Sequence, residues 1–154
     1  MNKIIVASTL CVSALLALSA HLGGQQSALK DTTESKYTVG QVWSYKTRSN
    51  EKKSSFIVLK VEHHPKLGNI VHIALRDLKL KKPNGEFIET AGHLPFAEEW
   101  IDKSASKILK EKADLPKYED GYGMWREAFE AGKAGVYTIT IAEAIDVMEA
   151  TLNQ

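Results

Sequence analysis

Histidine is the residue type in this chain best suited to acid–base or metal chemistry. Four of its five histidines, His63, His64, His72 and His93, fall in the part predicted to fold. A metal site needs three or four converging ligands, usually with a paired spacing such as H-x-x-x-H on a helix, and no such pair occurs. His63 and His64 are adjacent, so on an extended chain they would point in opposite directions. The pattern predicts no metal site and no cofactor, although His72 and His93 could still meet Glu98 in space.

Carboxylates are the second residue type that could do chemistry. They are plentiful in the second half, at Glu98, Glu99, Glu119, Asp120, Glu127 and Glu130. A glycosidase needs two of them facing each other across a cleft, whereas carboxylates spaced along one helix are typical of its solvated face. The chain has no G-x-S-x-G nucleophile motif. If the protein is an enzyme, we expect a small envelope hydrolase that uses His93, Glu98 and Asp120.

A glycine-rich segment, GYGMWR, invites comparison with a phosphate-binding loop. Gly121 and Gly123 match the first two glycines of G-x-G-x-x-G, but Arg126 occupies the third position. An acidic turn precedes the segment, where the dinucleotide motif requires a strand. The motif's context is therefore missing, and a dinucleotide cofactor is excluded.

The aromatic residues around this segment have helical spacing. Tyr122, Trp125 and Phe129 lie at i, i+3 and i+7, which predicts one helix face packed on the sheet. We expect Asp120 to cap the start of this helix and Gly132 to follow its end. For a binding role, the sequence favours the helix entry and two residues of the first half. These binding candidates are Tyr118, Glu119, Asp120, Trp43 and Arg76.

The first half of the chain should form strands. Four β-rich segments are separated by turn residues: 42–48, 55–62, 69–80 and a short edge strand at 86–89. The apolar alternation slips near Arg76 and Asp77, which predicts a bulge there. The short connections favour an antiparallel meander.

The second half should be mainly helical. Apolar spacing predicts a helix over 96–112, and 135–141 reads as a further strand. Thr140 and Glu143 form a capping box, so 141–152 should be a C-terminal helix. The predicted fold class is α+β: an antiparallel β-meander of four to five strands with two to three helices packed mainly on one face.

The N-terminal residues 1–20 have the layout of a secretory signal peptide. A basic Lys3 is followed by an apolar run and by small residues suited to cleavage after Ser19 or Ala20. Retention as a membrane anchor is the alternative, and we expect membrane contact only in that case. Residues 21–35 read as a flexible leader and 36–154 as a single domain. Cys11 is the only cysteine, so cleavage leaves a cysteine-free mature chain in the periplasm or outside the cell.

Charge is divided unevenly along a nearly neutral chain. Residues 36–82 hold eleven Lys/Arg and three Asp/Glu, a net of +8, and residues 83–154 hold seven and fourteen, a net of −7. The two halves either compensate each other or leave a basic interface. Overall neutrality and the lack of a binding motif argue against nucleic acid as a partner.

Two functions remain open from sequence. The first is an exported, non-catalytic protein-binding or inhibitory protein, for example an immunity protein whose partner is an envelope-acting toxin or another envelope protein. The alternative is the small hydrolase above, or a glycan-binding module that uses His93 and nearby carboxylates.

Overall fold

The computed structural model describes residues 28–154. The predicted signal peptide, and residues 21–27 of the predicted leader, lie outside these residues. None of the helices described is long and apolar enough to cross a bilayer.

An antiparallel sheet forms the centre of the fold. Its strands are β1 (Lys30–Asp31), β2 (Val42–Tyr45), β3 (Ser55–His64), β4 (Gly68–Arg76), β7 (Ala91–Ala97) and β8 (Ala105–Lys110). The order is β7-β4-β3-β2-β8, and β1 pairs with the far end of β3. Strands β5 (Leu80–Lys81) and β6 (Phe87–Ile88) form a separate hairpin. The helices are α1 (Glu98–Ser104), α2 (Glu119–Glu130) and α3 (Ile141–Leu152).

The sheet is covered on both faces, because side chains of successive strand residues point in opposite directions. The larger core includes Phe56 and Ile73 of the sheet, Ile101 of α1 and Ile145 of α3, all fully buried. The smaller core, on the other face, contains Val42, Ile57, Leu59 and Ala74. Helix α2 lies over that second face. Two of three helices share one face of an antiparallel sheet, which confirms the predicted α+β fold class.

Two predicted elements of the second half are wrong. The helix predicted over 96–112 is only α1, and the chain from Ala105 to Lys110 is strand β8. The strand predicted over 135–141 is reduced to one bridge between Phe96 and Tyr137. The chain leaves β7 after this bridge because α3 begins at Ile141, where the predicted capping box is present.

Part of the predicted leader belongs to the sheet. Leu29 is buried, and Lys30 and Asp31 pair with His63 and Glu62. Strand β3 extends beyond the end of β2, so backbone groups on that edge need another partner. A polar segment can provide these hydrogen-bond partners just as an apolar segment can, because the pairing uses backbone groups.

Local details of the prediction are confirmed in one case and corrected in two. Gly132 has φ +70° directly after α2, as predicted for the residue that ends the helix. Asp120 is not the N-cap of α2: the N-cap is Tyr118, two residues earlier, and the helix begins at Glu119. The alternation slips at Asp77, but through a break in the strand at φ 54° instead of a bulge within it.

Candidate functional site

A buried carboxylate on β3 contacts a buried imidazole on β4. The side chains of Glu62 and His72 are 2% and 0% exposed. Cross-strand pairing places His72 opposite Lys60, and therefore diagonal to Glu62 on the same face. Glu62 Oε2 lies 3.1 Å from His72 Nε2, and neither atom has another polar partner among residues 28–154.

The second nitrogen of His72 continues this contact toward the surface. His72 Nδ1 lies 2.9 Å from Nε2 of His93, which is on the neighbouring strand β7. The two rings are nearly parallel, with an interplanar angle of 18°. Glu62, His72 and His93 thus form a continuous chain of polar contacts from the protein interior to its surface, called here the Glu–His–His chain.

Helix α2 closes over the Glu–His–His chain with its aromatic face. The Tyr122 hydroxyl donates to Glu62 Oε1 at 2.8 Å, and Arg126 Nη1 donates to that hydroxyl at 3.0 Å. The Trp125 ring packs against His72 with centroids 4.9 Å apart. The prediction that this face docks on the sheet is confirmed. Gly121 permits the close approach, since a Cβ there would lie 3.2 Å from Cβ of His93.

The charge on Glu62 is stabilised by several groups. Burial alone would raise its pKa, but the close contact with His72, the hydrogen bond from Tyr122 and the positive charge of Lys60 hold the pKa below its ordinary value. Lys60 Nζ lies 3.8 Å and Arg126 Nη1 4.0 Å from Glu62 Oε1. Burial, and next the hydrogen bond to Glu62, raise the pKa of Tyr122 to about 12, so it remains a donor.

His93 is neutral at neutral pH. Burial, and next the repulsion that a protonated His72 would exert, lower its pKa to about 4, which outweighs the opposing effect of Glu62. The contacts also favour one arrangement of the protons. In a neutral His72 the proton lies on Nε2, which faces the carboxylate, so Nδ1 accepts a hydrogen bond from His93 Nε2. His93 Nδ1 is then an acceptor, and it has no hydrogen-bond partner within the described residues.

The Glu–His–His chain has a defined chemical capacity. If His93 Nδ1 receives a proton, the proton on His93 Nε2 can pass to His72, where Glu62 stabilises the resulting imidazolium. Carboxylate–histidine pairs in catalytic triads stabilise a transient imidazolium in this way. Without such transfer, the same contacts fix the tautomer of His93 and hold Nδ1 ready to accept a hydrogen bond.

His93 lines an open groove, called here the His93 groove. It lies between β7, the start of α2 and the segment before α3, and has a volume of about 460 Å³. Its lining includes His93, Pro95, Trp125, Gly135, Val136 and Tyr137. Within residues 28–154, no three His, Cys, Asp or Glu side chains are grouped as a metal ion requires.

The residues of the predicted hydrolase set are not joined by contacts. His93 bonds to His72, while Glu98 accepts hydrogen bonds from Ser35 and Asn69 at 2.8 and 2.6 Å. Asp120 is exposed at the start of α2, and its side chain makes no hydrogen bond or ion pair with the part of the chain that is described.

The predicted binding residues are dispersed. Tyr118, Glu119 and Asp120 line a shallow depression at the start of α2. Tyr118 packs on the smaller core, whereas Trp43 packs against Phe56 in the larger core, on the opposite face. Arg76 ends β4, and its carbonyl accepts a hydrogen bond from Ser54.

Sequence reasoning missed Glu62. The signal was its position: a carboxylate near the end of the apolar strand segment SFIVLKVE, where a strand buried on both faces leaves a charge no access to water. Such a residue needs cationic or donor partners, and His72 was already a candidate.

Strand β8 forms a second distinctive feature. It ends the sheet order and, among the described strands, pairs only with β2. Residues 106–110 are exposed, with Leu109 52% and Ile108 37% accessible. Lys107, Lys110 and Lys112 make no ion pair within residues 28–154.

Comparisons with protein-family models, with curated proteins and with solved structures found no match to this chain.

Proposed function

We propose that this protein is an exported, non-catalytic protein-binding or inhibitory protein, and that its partner docks on the edge strand β8. An immunity protein against an envelope-acting toxin is the specific form we favour. The observation that carries the proposal is an open strand edge, exposed on both faces, that combines apolar and cationic side chains.

A strand at the open edge of a sheet tends to pair with a strand of another chain. It carries a row of unpaired backbone donors and acceptors, and natural proteins usually shorten or cover such an edge. Here a six-residue strand is left uncovered in the described part of the chain. An extended segment of a partner could add to it through backbone hydrogen bonds, with side-chain pockets giving specificity.

The charge of β8 favours an acidic partner segment. Residues 103–112 contain four lysines and one glutamate. Lys103 is held over the Trp100 ring, 3.5 Å from its centroid, and the other three lysines have no carboxylate partner among the described residues. Two copies of β8 would bring like charges together, so a different, acidic chain fits the edge better.

The catalytic alternative has less support. A hydrolase built on His93 would require Glu98 or Asp120 beside it, and His93 instead contacts His72. A pKa of about 4 also leaves His93 a weak base when it acts alone.

Affinity capture from a periplasmic extract, followed by mass spectrometry, tests the proposal. We expect the wild type to retain a stoichiometric partner that Lys107→Glu/Lys110→Glu fails to retain. Lys52→Glu/Lys53→Glu makes the same charge change on an exposed turn and should retain it. Recovery of no stoichiometric partner, or equal retention by both double variants, would refute the proposal.

A further inference from the structure

The His93 groove carries an inference that does not depend on the partner of β8. Its walls come from three separate parts of the chain: His93 and Pro95 from β7, Trp125 from α2, and Gly135 to Tyr137 from the segment before α3. It therefore exists only in the folded protein.

The lining of the groove has no formal charge at neutral pH. None of its residues is acidic or basic except His93, which is neutral under these conditions. Glu62, Lys60 and Arg126 do not line the groove and contact one another instead. An anionic or cationic ligand would lose hydration here without gaining an ion pair, so the groove selects against charge.

The groove offers a polar atom at a defined place. With His72 neutral, the Glu–His–His chain makes His93 Nδ1 a hydrogen-bond acceptor, and this atom has no hydrogen-bond partner within the described residues. Tyr137 donates its backbone N–H to the carbonyl of Pro95 at the edge of β7, and its ring stacks on Phe96 on the face of the strand opposite His93.

Trp125 supplies an apolar wall whose orientation is fixed. Its indole N–H donates to the carbonyl of Gly135 at 2.8 Å, and its ring stacks on Phe129 with centroids 4.8 Å apart. Because these two contacts already fix the ring, it loses little conformational freedom when a ligand packs against it.

We infer that the His93 groove binds an uncharged, hydroxyl-bearing ring, such as one pyranose of a neutral glycan. The apolar C–H face of the sugar packs beside Trp125, and one hydroxyl donates to His93 Nδ1. The absence of charge in the lining favours a neutral sugar over an anionic one.

A larger side chain at Gly135 should block ligand binding in the His93 groove. A Cβ at this position of the groove lining would meet no atom within 4 Å, and its φ is not in the left-handed region, so a larger side chain fits there without strain. Gly123, on an exposed part of α2, is equally open but does not line the groove. Gly135→Leu and Gly123→Leu are therefore a matched pair.

The test is a titration of the purified, ¹⁵N-labelled protein with cellotetraose, maltotetraose and chitotetraose, followed by NMR. We expect at least one to shift the Trp125 indole and Gly135 amide signals. Gly135→Leu should weaken that binding at least tenfold, and Gly123→Leu should not change it. His93→Leu, which removes the acceptor, should weaken it on the order of tenfold, the effect of one hydrogen bond.

Three results would overturn the inference. One is that none of the three sugars shifts those signals at millimolar concentration. The second is that Gly135→Leu binds the sugar as tightly as the wild type. The third is that an anionic tetrasaccharide, tetragalacturonate, shifts the same signals at a lower concentration than the neutral sugars.

Discussion

The Glu62 carboxylate shows how a single residue is accommodated in the interior. A lone buried carboxylate would take up a proton, because removing its charge from water is costly. Glu62 stays ionised because it lies within reach of His72, Tyr122, Lys60 and Arg126, which come from three different elements. One carboxylate thereby ties β3 to β4 and to α2.

His93 makes folding stability depend on pH. Its folded pKa of about 4 is below the ordinary 6.5, so between those values the unfolded chain binds a proton that the folded protein does not. The contribution of His93 to the free energy of unfolding is therefore fully present above pH 6.5 and is lost as the pH falls toward 4. Water screens part of the effect at this half-buried ring, so we expect a loss on the order of 2 kcal/mol.

Urea denaturation at pH 7 and pH 4.8 measures this loss. His93→Gln replaces the ring with an amide that does not titrate, so the variant should lose less stability over the same interval. The lowered pKa of Glu62 acts below its ordinary 4.5 and leaves this interval largely unaffected. Equal pH dependence in wild type and variant would contradict the role assigned to His93.

Two of the three residues of the Glu–His–His chain, Glu62 and His72, could have been placed together from the sequence. The loop between β3 and β4 is short, and His64 pairs with Gly68 across it. Counting back from that turn places His72 opposite Lys60 and next to Glu62 on one face. The position of His93 could not be found in this way, because the β5–β6 hairpin intervenes before β7 and no short turn fixes its register.

At the scale of elements, β8 is a segment whose apolar spacing predicts a helix but whose pairing with β2 makes it a strand. The helix ends at Ser104 because that residue is bound elsewhere: its carbonyl accepts from Lys46 N–H at 2.9 Å, and its hydroxyl from Ile141 N–H at 3.0 Å. The chain then becomes extended and satisfies the free edge of β2. Apolar spacing cannot reveal this, because the deciding partners are about 40 to 60 residues away.

Helix α3, in contrast, matches its predicted bounds because its start signal is local. The Thr140 hydroxyl accepts from Glu143 N–H at 3.3 Å, and the Glu143 carboxylate accepts from Thr140 N–H at 2.8 Å. We expect Thr140→Ala to lower the free energy of unfolding by about 1 kcal/mol, as for other N-cap losses.

Thr151→Ala is the matched control for Thr140→Ala. Thr151 lies in the last turn of α3, and its hydroxyl only donates back to the carbonyl of Val147. Alanine favours helix at such a position, so the change should stay within about 0.5 kcal/mol of the wild type. Equal effects of both substitutions in urea denaturation would show that the capping box does not stabilise α3.

At the scale of the whole molecule, the oppositely charged halves compensate each other in part. Lys36 pairs with Asp102 at 2.7 Å, and Arg48 with Asp146 and Glu149 at 3.2 and 3.4 Å. The lysines of β8 are different: they belong to the acidic half of the sequence, yet they make an uncompensated basic edge in the described fold. Net charge by segment therefore does not reveal this basic edge.

These lysines should also keep copies of the protein apart. Two β8 edges could pair through their backbones and through Ile108 and Leu109, but the lysines would then face one another, and like charges across strands are unfavourable. Lys107→Gln/Lys110→Gln removes that repulsion, so we expect its average mass in sedimentation to rise with concentration more steeply than that of the wild type. Lys52→Gln/Lys53→Gln changes net charge equally and should sediment as the wild type does.

Raising the salt concentration should move the sedimentation behaviour of the wild type toward that of the β8 variant, because screening weakens repulsion between exposed charges. If the two double variants associate alike, net charge rather than the β8 edge controls assembly.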